Sequence, residues 1–340
     1  MQPKHGGRLN EAVKRWRIPR DQWLDLSTGV NPIGWSVADI PAHIWQRLPE
    51  ADDGLNDIIR HWSNAPASAD CEPVAGSQAA IMALPRLRQP CRVGIPSIGY
   101  REHAYSWRQA GHSIVPITQA QTDVSSADNA EHWLDELDVL VWINPNNPTG
   151  ELIPAATLLR WHARLQQRGG WLIVDEAFMD ATPQFSLCVH AGLSGLIILR
   201  SLGKFYGLAG VRAGAVLTEP SIAQPLRRLL GPWSLSGPSR YVMAQSLMDT
   251  AWQEQTRIRL QRDTQRLANV LQAAGLTLMG GTVLFQTVRL DAPALLADQL
   301  AAQGVLVRSF TQPGMLRLGL AADEQQWQRL EMALRTTAED

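Results

Sequence analysis

The chain has 340 residues and nearly balanced charge, 31 Lys and Arg against 32 Asp and Glu, with 45% apolar and 19% charged residues. That length suits about two domains with a full core, and the composition is too apolar for a disordered chain and too neutral for a strongly basic nucleic-acid binder. The three cysteines, Cys71, Cys91 and Cys188, form no CxxC pair, which argues against a disulfide framework or a structural zinc and for a reducing cytoplasm.

Residues 1–35 are rich in Gly, Asn and Pro and start without the apolar core of a signal segment. They are expected to drape over a site rather than to form a domain. Residues 36–235 alternate short apolar runs with helical patterns. Strands are predicted at Arg92–Pro96, Ser113–Ile117, Val139–Ile143, Trp171–Val174, Leu196–Leu199 and Ala213–Leu217, and helices at Gln78–Leu87, Arg101–Ala110 and Ala155–Gln167. Apolar strands separated by helices imply a mostly parallel sheet covered on both faces. Residues 236–340 change scale. One long helix is predicted over Ser239–Ala274, stopped by Gly275. Strands follow at Thr282–Leu290, Gly304–Val307 and Leu316–Leu320, with helices at Ala292–Gln303 and Asp323–Leu334, the last capped by Asp323. This reads as a smaller α+β domain. The apolar runs are all too short to cross a bilayer.

Four segments carry chemistry. Arg200-Ser201-Leu202-Gly203-Lys204 follows an apolar strand and runs on to Gly210-Val211-Arg212. A lysine in a Gly-rich turn past a buried strand faces the ligand edge of an α/β sheet, where an amine can form a Schiff base. Ser201 and Arg212 flank it and suit a phosphate. Asp175 ends another apolar strand, where a carboxylate can pair with a cation or simply cap the next element. Asn144-Pro145-Asn146-Asn147-Pro148-Thr149-Gly150 is a rigid turn that can aim an amide. Gly76-Ser77-Gln78 opens a helix and offers backbone N–H groups to an anion.

In this order the four segments resemble the fold type I pyridoxal-phosphate enzymes, the aspartate-aminotransferase-like superfamily, over nearly the whole chain. The resemblance implies a large domain built on a mostly parallel seven-stranded sheet flanked by helices, a smaller C-terminal domain, a cytoplasmic homodimer and pyridoxal 5'-phosphate as cofactor. It implies that Lys204 carries the cofactor and that Asp175 pairs with the pyridine nitrogen. Asn147 would hydrogen-bond the phenolic oxygen, Tyr100 would stack on the ring, and Ser77, Gln78, Ser201 and Arg212 would cradle the phosphate. Arg317, in Met315-Leu316-Arg317-Leu318-Gly319, matches the arginine that grips a substrate carboxylate.

Within the superfamily the chain is similar to two groups with phosphorylated substrates, the L-threonine-O-3-phosphate decarboxylases of cobalamin synthesis and the histidinol-phosphate aminotransferases. His5-Gly6-Gly7, Leu24 through Pro32 with Asn31, Phe178 where many aminotransferases have Tyr, and the 231–238 stretch favour the decarboxylases. His5, Gly6, Arg8, Asn31, Asn147, Arg308 and Arg317 are the candidate substrate residues, Arg308 at the end of its strand being suited to a phosphate. Leu48-Pro49-Glu50 departs from the relatives' Tyr-Pro, whose tyrosine reaches the partner subunit's cofactor phosphate.

Other features read plainly. No two of the eight histidines show metal-site spacing, so no metal is expected. His103, three positions after Tyr100, is a candidate for the pocket wall. Arg227-Arg228 and Arg257 with Arg259 read as solvated helix faces, so no nucleic-acid partner is expected. Most of the thirteen tryptophans read as core or interface, and Cys188 as a small buried hydrophobe. A catalytically silent pyridoxal-phosphate-binding regulator is the non-enzymatic alternative. It is disfavoured by the lysine and by the lack of room for a DNA-binding domain before residue 35.

Overall fold

In the computed structural model, residues 5–122 and 131–339 are described; residues 1–4 of the expected N-terminal segment and residue 340 lie outside that range. In chain order the helices are α1 (Leu9–Trp16), α2 (Ala42–Gln46), α3 (Leu55–Ser63), α4 (Ser77–Ala83), α5 (Glu102–Gln109), α6 (Gln119–Thr122), α7 (Ala155–Gln166), α8 (Pro220–Leu230), α9 (Gly237–Met248), α10 (Thr250–Ala273), α11 (Pro293–Ala302) and α12 (Glu324–Glu339). The strands are β1 (Leu24–Asp25), β2 (Asp70–Val74), β3 (Arg92–Pro96), β4 (Ser113–Ile117), β5 (Val139–Ile143), β6 (Trp171–Asp175), β7 (Leu196–Ser201), β8 (Gly214–Thr218), β9 (Thr277–Thr282), β10 (Phe285–Arg289), β11 (Val305–Leu306), β12 (Arg308–Phe310) and β13 (Met315–Gly319).

The chain divides into two compact units, one of residues 35–147 and 152–250, the other of residues 1–34, 148–151 and 251–340. The larger holds a seven-stranded sheet in the order β2-β8-β7-β6-β5-β3-β4. Its pairs are parallel except those of β8, which runs against both neighbours. β5 is buried at every position, as a strand covered on both faces must be. On one face Val139, Val141, Ile173, Ile197, Leu199 and Val216 pack with Ala80, Ile81, Trp107 and Leu226 from α4, α5 and α8. Because side chains alternate, Asp175 shares that face with Ile173 and Ser201 shares it with Leu199, while Glu176 and Arg200 point the other way. Deleting a core side chain such as that of Ile173 is worth about 2–5 kcal/mol.

The smaller unit holds an antiparallel sheet, β12-β13-β10-β9, and a parallel pair, β1 with β11. Residues 148–151 belong to it because the Thr287 hydroxyl donates to the Pro148 carbonyl at 2.6 Å and Gly150 packs on the Gly281 backbone.

Several sequence expectations change here. The N-terminal segment is not merely draped: it forms α1, and β1 pairs with β11. The single helix over Ser239–Ala274 is two, α9 and α10. Asp249 leaves helical geometry between them, and its carboxylate accepts the Trp35 indole N–H at 3.0 Å. The strand expected over Thr282–Leu290 is the second arm of a hairpin, turned where the Thr282 hydroxyl accepts the Leu284 N–H. Arg308 starts β12 rather than ending the strand before it. β2, with Glu72 and Pro73 inside it, has too little apolar alternation to be read as a strand and is built by pairing with β8.

Candidate active site

Neighbouring strands in the larger unit bring Ile143, Asp175, Leu199, Ser201, Gly214 and Val74 to one edge of the sheet, the carboxyl edge of the parallel strands. The segments singled out in the sequence leave from that edge: Asn147 follows β5, Tyr100 follows β3, Ser77 follows β2 and Lys204 follows β7. This is where an open α/β sheet binds ligands.

Asp175 is 3% exposed, and both carboxylate oxygens are held. Oδ1 accepts the Ala177 N–H at 3.1 Å, and Oδ2 accepts from His103 Nε2 at 2.8 Å. His103 lies in the first turn of α5, one turn on from Tyr100, and their rings meet edge to face at 6.2 Å. The Tyr100 hydroxyl donates to Gln78 Oε1 at 3.2 Å, and Gln78 Nε2 donates to Glu102 at 3.2 Å. Burial, with the charges of Glu102 and Asp175, pushes the Tyr100 phenol up to about 12 against the opposing pull of Arg212. Tyr100 therefore stays neutral.

Arg212 adopts left-handed backbone geometry, and its guanidinium lies over Gly76, where a Cβ would come within 2.9 Å of it. Gly214 is similarly tight: a Cβ there would fall 2.8 Å from the Ser77 nitrogen. Two missing side chains thus let Arg212, the Gly76–Ser77 backbone and the β7–β8 edge converge. The Ser201 hydroxyl accepts the Gly203 N–H at 3.3 Å at the start of the lysine turn. The Lys204 amine lies 5.5 Å from the centroid of the buried Phe178 ring. Asn147, half-buried, follows the buried Asn144–Asn146 stretch, in which Asn146 Nδ2 donates to the Ile98 carbonyl at 2.8 Å.

In the smaller unit Arg308 and Arg317 are direct partners across β12 and β13. Arg317 is 4% exposed, with its guanidinium 5.1 Å from the Phe285 ring and Nη2 donating to the Ser27 carbonyl at 2.6 Å. Burial, then the neighbouring Arg308 charge, bring it down to about 10, so it remains cationic at neutral pH. Two cations held side by side suit an anionic ligand. Ser27 joins this pair to the N-terminal motif. Its hydroxyl accepts the Gly7 N–H at 2.7 Å and donates to Asp25 at 2.6 Å, and Gly6 packs so close to the Ser27 carbonyl that no Cβ fits. His5 precedes this contact and is exposed. Asn31 is buried, and its Oδ1 accepts from Arg259 at 2.8 Å and from the Ile33 N–H at 3.1 Å.

The bond from His103 to Asp175 was visible in the sequence only as a histidine one helical turn beyond Tyr100. Glu176, Asp180 and Arg200 are all buried behind Asp175 and Ser201; Arg200 opens the lysine segment, but its sequence position gave none of the three a role. Their signal was charge beside otherwise apolar strand ends. Cys188 is buried, and burial pushes its thiol up to about 12, in keeping with packing rather than nucleophilic work. Among the described residues no group of His, Cys, Asp and Glu could hold a metal ion, and no helix is long and apolar enough to cross a membrane.

Residues 72–340 match the family described as aminotransferase class I and II, and the chain belongs to that family. Its sequence is 51% identical over 97% of both chains to threonine-phosphate decarboxylase of Pseudomonas aeruginosa. It is 39% identical to a threonine-phosphate decarboxylase of Sinorhizobium, again over 97% of each. Among solved structures, histidinol-phosphate aminotransferase from Clostridium acetobutylicum superposes with a TM-score of 0.79, over 93% of this chain and 99% of that one, at 21% identity. That likeness speaks to the fold.

Proposed function

We propose that this protein is a pyridoxal-phosphate-dependent threonine-phosphate decarboxylase. It would convert L-threonine O-3-phosphate to (R)-1-amino-2-propanol O-2-phosphate and CO2 for cobalamin synthesis. The observation that carries the reading is the 51% identity to a threonine-phosphate decarboxylase over 97% of both chains. The residues of the larger unit fit the cofactor. The Gly76 turn leaves its Cβ position to the Arg212 guanidinium, a cradle suited to a phosphate. Asp175, buried and fixed by His103, suits a protonated ring nitrogen. Tyr100, kept neutral, suits stacking on the ring.

Pyridoxal phosphate, when bound, supplies an electron sink for the pair released at the substrate Cα. Lys204 is the amine that would hold the cofactor at its aldehyde, and its Nζ would supply the proton to Cα. Asp175 would stand against the ring nitrogen, its carboxylate held in place by His103 Nε2. Asn147 would donate to the phenolic oxygen, and Ser77, Gln78 and Ser201 would join Arg212 at the phosphate. Among the residues of the smaller unit, Arg317 would take the substrate carboxylate and Arg308 its phosphate, with His5, Gly6 and Asn31 as further candidates. Decarboxylation breaks the bond from Cα to the carboxylate carbon. The electron pair stays on Cα, CO2 departs, and one proton replaces it. The enzyme works as a cytoplasmic homodimer in this reading.

The test is CO2 release from L-threonine O-3-phosphate by the purified, cofactor-loaded protein with no keto acid present. Stoichiometric CO2 and aminopropanol phosphate are expected. No CO2, together with transfer of the amino group from histidinol phosphate to 2-oxoglutarate, would overturn the reading in favour of an aminotransferase. Lys204→Ala is expected to abolish both turnover and the absorbance of lysine-bound cofactor.

A further inference from the structure

A buried charged cluster lies on the sheet face opposite Asp175. Arg200, Glu176 and Asp180 are 4%, 0% and 2% exposed. Arg200 Nη2 donates to Asp180 Oδ1 at 2.7 Å, and Nη1 lies 3.4 Å from Glu176 Oε2. The Trp62 ring covers the guanidinium at 4.3 Å. Glu176 is further tied to the Ser186 hydroxyl at 2.5 Å and the Leu187 N–H at 2.7 Å, while its own N–H donates to the Leu199 carbonyl at 2.9 Å. Against the pull of burial, the carboxylates make Arg200 hold its proton more tightly than usual.

An arginine and two carboxyl groups in a dry interior are a poor way to gain stability, because desolvation opposes their charges and burial pushes the Glu176 carboxyl up. Their arrangement suggests another use. One guanidinium grips both ends of the five-residue segment Glu176–Asp180. The middle residue of that segment is Phe178, whose ring faces the Lys204 amine at 5.5 Å. Arg200 itself directly precedes Ser201 and stands four residues before Lys204. The same side chain therefore fixes the segment that carries the ring to the strand that leads into the lysine turn.

We propose that Arg200 is a positioning residue, which by holding Glu176 and Asp180 together sets the Phe178 ring against the Lys204 amine. A lysine would keep the positive charge but lose the two-pronged grip. A leucine at 178 would keep the apolar contact but lose the aromatic face that favours a cation.

The inference rests on Lys204 as the cofactor lysine, so its first readout needs no cofactor. In the full chain stripped of cofactor, the pH dependence of Lys204 acylation by acetic anhydride is followed by peptide mass spectrometry. Phe178→Leu is expected to lower the Lys204 midpoint by about half a pH unit. Arg200→Lys is expected to lower it comparably, and the double variant no further than Phe178→Leu alone. In the loaded protein Arg200→Lys is expected to lower kcat about tenfold with KM little changed. Asp180→Asn, which releases the far end of the segment, should repeat the shift and serves if Arg200→Lys does not fold. An Arg200→Lys midpoint equal to wild type, or shifts that add in the double variant, would overturn the proposal. Failure of the cofactor reading is seen separately, as a wild-type protein that gains no absorbance from pyridoxal phosphate.

Discussion

The carboxylate of Asp175 is held on both of its oxygens. It is almost completely buried, and its two acceptor atoms are committed to a backbone N–H and an imidazole. A charged hydrogen bond in such a place is worth about 1.5–3 kcal/mol, or about 10- to 100-fold in rate if it acts only at the transition state. His103→Phe, which keeps a ring in the same space, is therefore expected to lower kcat by about 10- to 100-fold while the protein still binds pyridoxal phosphate. Steady-state kinetics beside a cofactor titration checks this. Unchanged kcat would mean that the imidazole does no more than fill space. Residue-level legibility followed the same line. Lys204, Asp175 and Arg212 announce themselves because glycines and strand ends frame them. His103 and Arg200 do not, because the carboxylates they bind lie 72 residues away for His103 and 20 and 24 for Arg200, and only folding brings them together.

At the level of elements, what makes the larger unit a binding scaffold is the repetition of one device, a buried strand that stops and a turn that begins. Apolar runs such as Val139–Ile143 and Leu196–Leu199 made the strands readable, and all six expected strands of the block are present within a residue or two. What the pattern could not supply was the reversed direction of β8, set by its pairing with β7 and β2. That reversal brings Gly214, at the start of β8, to the same edge as Ser201 and Val74, at the ends of their strands, and carries Arg212 with it. Gly76 is the hinge of the arrangement. Its φ of 73° lies in the region that favours glycine, and a Cβ would meet Arg212 Nη2 at 2.9 Å. Gly76→Ala should therefore cost about 1–3 kcal/mol from the backbone alone and push the guanidinium aside. Affinity for pyridoxal phosphate is expected to fall about tenfold or more, as loss of a charge-assisted phosphate contact requires. Equilibrium dialysis with the apoprotein measures it, and wild-type affinity in a stably folded variant would remove Arg212 from the cradle.

At the scale of the whole molecule, the larger unit exposes large apolar side chains beside a groove. Trp45 is 64% exposed, Leu48 62% and Met248 52%. Leu48 and Met248 line a groove of about 540 Å³ together with His43, Pro49, Arg240 and Tyr241. Exposed apolar side chains gathered around a concavity mark a contact surface, whereas scattered ones need no explanation. The surrounding charges are mixed in sign, Arg47 and Arg240 with Glu50, Asp52 and Asp53, and the chain as a whole carries a net charge of only -1. Two copies can thus approach without long-range repulsion. On the proposed homodimer reading, this surface is the expected contact between the copies. Sedimentation equilibrium is expected to give twice the 37.6 kDa of one chain. Trp45→Glu or Leu48→Glu, each burying a charge in the contact, should weaken association by about tenfold or more and lower activity in step with the fraction dissociated. A wild-type protein that is monomeric and fully active at assay concentration would show that one chain suffices.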